Sequence, residues 1–139
     1  VIGLTVLDLV DEERARRKTI REAYTRQLAG IPGLSLLEVP AGVKHSEQYL
    51  VLRVDASRFG ATRDEVYDHL RQHNVFARKY FYPLTSDYPC YQQLPSAREG
   101  ALPVAQRVSR EVLCLPFYGD LLPREVAGIC ELIVSRGRN

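Results

Sequence analysis

The sequence predicts an α+β domain, a small and mainly antiparallel sheet with helices packed on one face. Three observations lead there. The 139 residues, 45% hydrophobic and 26% charged, suit one globular unit able to bury a sizeable core. Segments with apolar residues every three or four positions alternate with short strand-like runs, in the order helix, strand, strand, helix, strand, helix, strand, helix. Glycine and proline punctuate the boundaries, and no internal repeat or low-complexity tract divides the chain.

The first helix is expected to start at Asp8, a side-chain cap candidate. Asp11, Glu12 and Glu13 follow in the opening turns and Arg14, Arg16, Arg17 and Lys18 after them, an order that suits the helix dipole. Ile20, Ala23, Tyr24, Leu28 and Ile31 form its apolar stripe, and Gly30, Pro32 and Gly33 end it. The arginines read as a solvated face laced with pairs such as Glu12/Arg16 and Glu13/Arg17, or as a phosphate-binding patch. Leu34 to Val39 is a short strand candidate. Gln48 to Asp55 is a stronger one, with Tyr49, Val51 and Arg53 on one side and Leu50, Leu52 and Val54 on the core side. Thr62-Arg63-Asp64-Glu65 matches the capping box, in which the threonine oxygen and the glutamate carboxylate satisfy each other's backbone amides. Val66 and Leu70 supply that helix's buried stripe, and Asn74 is a left-handed stop. Pro103 opens a short helix to about Arg110, Val112 to Leu115 forms a compact buried strand ended by Pro116, and Pro123 opens a last helix with Val126, Ile129, Cys130 and Ile133 inward.

Between these lies the run Val75-Phe76-Ala77-Arg78-Lys79-Tyr80-Phe81-Tyr82-Pro83-Leu84, the segment that points most directly to a ligand. If extended, it presents Arg78, Tyr80 and Tyr82 on one side and Lys79 and Phe81 on the other. That mixed face is a poor core, and Tyr82-Pro83 turns the chain out of the sheet at a strand end, where sites lie. The same rings would also suit a cover over one edge of the core. The stretch from Thr85 to about Leu102 is a loop long enough to be functional.

Composition excludes several classes. The 19 basic and 17 acidic residues are dispersed and leave a net charge of only +2, which argues against a nucleic-acid or membrane surface. No apolar run approaches membrane-spanning length and no secretory signal is present. Cys90, Cys114 and Cys130 are odd in number and lack metal spacing, so reduced thiols in the cytoplasm are expected. His69 and His73 lie four apart on a helix but lack the companions of a zinc site. No serine-hydrolase elbow, P-loop or dinucleotide fingerprint occurs.

Together, Arg16-Arg17-Lys18-Thr19-Ile20-Arg21-Glu22-Ala23-Tyr24 with Leu28, the Thr62 to Glu65 helix start, the Ala77 to Leu84 run and Leu113-Cys114-Leu115-Pro116 resemble the C-terminal part of the DegT/StrS family of sugar aminotransferases. The resemblance covers nearly the whole chain, in order and spacing. It implies a fold-type I, pyridoxal 5'-phosphate-dependent enzyme, usually a homodimer, that moves an amino group from glutamate to a keto-deoxysugar carried on a nucleoside diphosphate. Residues 1–10 then read as a connection to a large cofactor-binding domain and residues 11–139 as the small C-terminal domain. The absence of methionine and seven aliphatic residues among the first ten agree with a piece of a longer protein.

The family's Schiff-base lysine stands in a Ser-x-x-Lys setting, whereas Lys18, Lys44 and Lys79 are each preceded, three positions earlier, by Ala15, Ala41 and Phe76. No catalytic residue and no bound cofactor are therefore expected in this chain alone. Arg78, Tyr80, Tyr82 and Tyr49 are the substrate-binding candidates, the arginine for a diphosphate and the rings for planar or apolar faces. The competing readings are a self-contained ligand-binding or regulatory α+β module and, more weakly, a single-stranded RNA binder.

Overall fold

Alternation along one strand sets the core. In the computed structural model, which describes residues 2–98 and 100–137, Leu50, Leu52 and Val54 are 2%, 0% and 1% exposed, as their spacing requires. Strand β2 (Val51–Val54) is the centre of a three-stranded antiparallel sheet, flanked by β1 (Leu34–Leu36) and β3 (Val112–Cys114). Leu36 stands opposite Leu52, and Leu52 opposite Leu113, so one sheet face carries a continuous row of leucines.

Helices cover that face. The long helix α2 (Val10–Leu28) buries Ile20, Tyr24 and Leu28, helix α4 (Arg63–Gln72) buries Val66 and Leu70, and helix α6 (Pro123–Gly137) buries Val126, Ile129, Cys130 and Ile133. These side chains, the sheet leucines and Phe59 form one hydrophobic cluster. The chain is thus an α+β domain with an antiparallel sheet, as the order of elements predicts. No helix among the described residues is long and apolar enough to cross a membrane.

Local chemistry explains the boundaries. The capping box of α4 is present: the Glu65 amide donates to Thr62 Oγ1 at 3.2 Å and the Thr62 amide to Glu65 Oε2 at 2.8 Å. Asn74 adopts φ +58 just past the helix end, the left-handed stop its side chain tolerates. Asp55 caps a short helix, α3 (Ala56–Phe59), by accepting from the Ser57 amide at 3.0 Å, an element the turn around Gly60 concealed. Helix α5 (Pro103–Glu111) opens on its proline.

Two expectations are corrected. Asp8 is not a cap. The aliphatic start forms its own helix, α1 (Ile2–Leu7), Asp8 falls in the turn after it, and α2 begins behind Leu9 with no side-chain cap. The aromatic run is not a strand either. It pairs with β3 only through Arg78 and Cys114, whose backbones exchange bonds of 2.9 and 2.8 Å. Antiparallel extension would set Phe76 opposite Pro116, which has no N–H to give. In the other direction it would set Tyr80 opposite Val112, whose N–H already bonds the Val108 carbonyl and whose carbonyl accepts from Arg63 Nη1 at 2.9 Å. With both neighbours unavailable, the ladder stops after one pair.

Candidate functional site

Around that single bridge, three segments converge on the sheet face turned away from the helices. Gln48 and Tyr49 lead into β2, Phe76, Arg78 and Tyr80 come from the aromatic run, and Cys114 to Tyr118 leave β3. They enclose a cleft of about 310 Å³. Arg78 Nη1 donates to the Tyr80 hydroxyl at 2.7 Å with its guanidinium carbon 5.5 Å from that ring, and Tyr49 meets Tyr80 edge-on at 5.6 Å between centroids. Tyr49 is 42% exposed, so the rings are available to an incoming group. Phe81 stacks on Tyr80 at 5.1 Å and is itself 73% exposed. Burial pushes the Cys114 thiol up from its ordinary value, with the Tyr80 backbone amide and the Arg78 charge pulling the other way.

Three of the four predicted site residues are therefore brought together: Arg78, Tyr80 and Tyr49. Tyr82 is not. Its ring lies 5.2 Å from the Arg63 guanidinium, on the side where Lys79 pairs with Asp64 and stands 4.4 Å over the Tyr67 ring. The side chains of 79 and 82 thus fasten the run to α4, leaving 78 and 80 to face the cleft. Arg63, only 2% exposed, carries this attachment: Nη1 donates to the Ser109 and Val112 carbonyls, Nε to Asp64, and Nη2 has no hydrogen-bond partner. Nothing in the sequence marks Arg63, since an arginine in a first helical turn reads as solvated. Phe117 and Tyr118 were legible only as residues beyond a strand-ending proline.

Among the described residues, no group of three His, Cys, Asp or Glu side chains is placed to hold a metal ion. The His69 and His73 rings lie 4.6 Å apart, tilted by 57°, but His73 Nδ1 is engaged with the His69 carbonyl at 2.9 Å. The lysines do not fit a covalent cofactor anchor: Lys79 is ion-paired, Lys44 is 79% exposed and Lys18 is exposed. A Schiff-base amine instead needs a nitrogen free of a carboxylate in a water-excluded pocket, and Asp64 holds the Lys79 ammonium.

Comparison with known proteins gives the site its context. The DegT/DnrJ/EryC1/StrS aminotransferase family profile matches residues 1–134. The chain belongs to this family. A dTDP-4-amino-4,6-dideoxy-D-glucose transaminase of Escherichia coli is 35% identical over 134 residues, which cover 96% of this chain and 36% of the relative. The spore coat polysaccharide biosynthesis protein SpsC of Bacillus subtilis is 29% identical, over 95% of this chain and 34% of its own. Among solved structures, DesI in the presence of its TDP-sugar product superposes with a TM-score of 0.87 at 26% identity, over 97% of this chain and 34% of DesI. The chain spans about a third of the length of the curated relatives it matches.

Proposed function

We propose that this chain is the C-terminal small domain of a pyridoxal-phosphate-dependent aminotransferase that passes an amino group from glutamate to a nucleotide-linked keto-deoxysugar. The observation that carries the reading is the match of nearly the whole chain to about a third of sugar transaminases, with an aromatic and cationic cleft at the mouth of the fold. When bound elsewhere in the full-length protein, the cofactor supplies the electron sink for transfer. This chain's residues bind and orient the other reactant. Arg78 offers a forked cation to the diphosphate, and the Tyr80 hydroxyl that it holds keeps the fork turned into the cleft. Tyr49 and Tyr80, set edge to face, offer a slot for a planar base or the apolar face of a deoxysugar. Tyr82 supports the run from behind.

The reading extends to a cytoplasmic homodimer in which a large domain, docked on residues 1–10 and the cleft mouth, holds the cofactor. Residues 11–139 alone are non-catalytic, since Lys79 is ion-paired with Asp64 and Lys44 and Lys18 are exposed. The test is amino transfer by the full-length protein to dTDP-linked 4-keto-6-deoxysugar with glutamate as donor, alongside this chain by itself. Turnover by the first and none by the second is expected. In the full-length protein, Arg78→Ala should raise the KM for the sugar nucleotide about tenfold, the loss of a charge-assisted contact of ~1.5 kcal/mol. Turnover by the isolated chain would overturn its non-catalytic reading, and specific binding of a metabolite without any amino transfer by the full-length protein would favour the self-contained module instead.

A further inference from the structure

The arginine-rich face of α2 carries the expected Glu12–Arg16 and Glu13–Arg17 pairs, at 2.6 and 2.9 Å, and its arginines also reach other segments, which leaves them engaged. Arg14 donates through Nε and Nη2 to the His45 carbonyl at 3.2 and 2.7 Å, Arg17 Nη1 to the Glu47 carbonyl at 3.3 Å, and Arg21 through Nε and Nη2 to the Glu47 carboxylate at 3.0 Å each. These arginines, three and four residues apart, strap down the segment that precedes β2. From the same helix, Glu13 accepts from the Gly119 amide at 2.9 Å, Arg16 Nη1 donates to Asp120 at 3.3 Å, and the Tyr24 hydroxyl donates to the Pro116 carbonyl at 3.1 Å. A Cβ at 119 would come within 2.3 Å of Glu13 Oε2, so a side chain there would push the carboxylate off the amide that it accepts from. One helix therefore fixes the 45–47 segment, which leads directly into Gln48 and Tyr49 of the cleft, and the 116–120 segment, which supplies Phe117 and Tyr118.

Glu47 concentrates three local costs. Its side chain is 5% exposed, its charge needs the Arg21 fork to be tolerated, and its backbone sits at φ +53, where a residue with a Cβ is disfavoured. Costs of this kind persist where the surroundings over-determine a geometry, and they gather next to sites. Two residues on, Tyr49 meets Tyr80, and one further, the Leu50 carbonyl is locked to the Leu115 amide at 3.0 Å. Tyr49 is thus held between two fixed points.

We propose that the Arg21–Glu47 pair is a positioning device for the cleft, setting where Tyr49 stands to receive the nucleotide part of the substrate. The proposal rests on the functional reading above, and its test separates the two. In the full-length protein, Glu47→Gln should speed hydrogen exchange in the 43–49 segment while leaving β2 and β3 protected. It should weaken thymidine diphosphate binding about tenfold, as misplacement of an orienting group does, and raise the KM for the sugar nucleotide with the amino-donor half-reaction unchanged. Arg21→Lys, which keeps the charge but loses the fork, should give the same split to a smaller degree and covers the case in which Glu47→Gln fails to fold. Unchanged thymidine diphosphate affinity in either folded variant would overturn the positioning role. So would an equal loss in both half-reactions, since that is the mark of a merely structural pair. If the unaltered protein does not bind thymidine diphosphate, the reading beneath falls and takes the proposal with it.

Discussion

Arg63 shows how much of a site can rest on a residue that never reaches it. It holds two carbonyls of the α5–β3 corner and lies under Tyr82, its guanidinium carbon 5.2 Å from the ring centroid. Arg63→Met should cost about 2 kcal/mol or more in urea unfolding, because both carbonyls would be left buried without donors. It should also loosen the 78–84 run. Glu47 makes a complementary case. Burial pushes its carboxyl up, but the Arg21 hydrogen bonds and charge, with His45, outweigh that and leave it below its usual value of 4.5. A depressed folded value means a stabilising contribution that is complete above pH 4.5 and is lost as pH falls through the folded value. Acid unfolding monitored below pH 4.5 should therefore be steeper in the unaltered protein than in Glu47→Gln. Of the three thiols, Cys90 is exposed, while burial raises Cys114 and pushes Cys130 up to about 12. In the folded chain one thiol should react quickly with an aromatic disulfide reagent and two only on unfolding. The burial of Cys114 and Cys130 follows from their places in apolar runs, but the contacts of Arg63 and Glu47 could not be read from the sequence, because arginine and glutamate carry no mark of burial. Arg78 and Tyr80 could, because cations interleaved with aromatics before a proline make a poor core.

At the scale of elements, what was legible followed from strict spacing. The alternation of Leu50, Leu52 and Val54 placed the core, and the Thr62–Glu65 box placed the start of α4. Thr62→Ala should cost about 1 kcal/mol and lower the melting temperature by a few degrees in a thermal scan. The elements that were misread depend on partners distant in sequence. Whether the aromatic run extends β3 is decided by Pro116 and by the prior use of Val112, neither of which is visible within the run. The break between α1 and α2 is likewise unmarked by glycine or proline. Strand ends proved shorter than the apolar runs that predict them, since β1 stops at Leu36 rather than Val39.

At the scale of the whole molecule, the start of the chain presents an unused apolar surface. Leu4, Val6, Leu7 and Leu9 are 71%, 53%, 65% and 58% exposed, and Val6 and Leu9 line a groove of about 680 Å³ beside Arg14 and Gln48. A surface of this kind associates. Sedimentation of this chain should show concentration-dependent self-association that is weakened in a Leu4→Glu, Leu7→Glu double variant. The fold class was fully legible at this scale, because a short sheet with one leucine-lined face leaves its helices only one place to pack. The one-pair bridge at Arg78 also has a meaning for solubility. β3 is an outer strand, and the Arg78 backbone takes the pair of groups at Cys114 that a strand from another molecule would use to begin a fibril. Because those bonds are made by the main chain, side chains at 78 and 80 can change to suit a different ligand without unsealing the edge. Changes in the length of the run cannot. Diversification at this mouth is therefore expected to proceed by substitution, with insertions and deletions confined to the loop beyond Pro83.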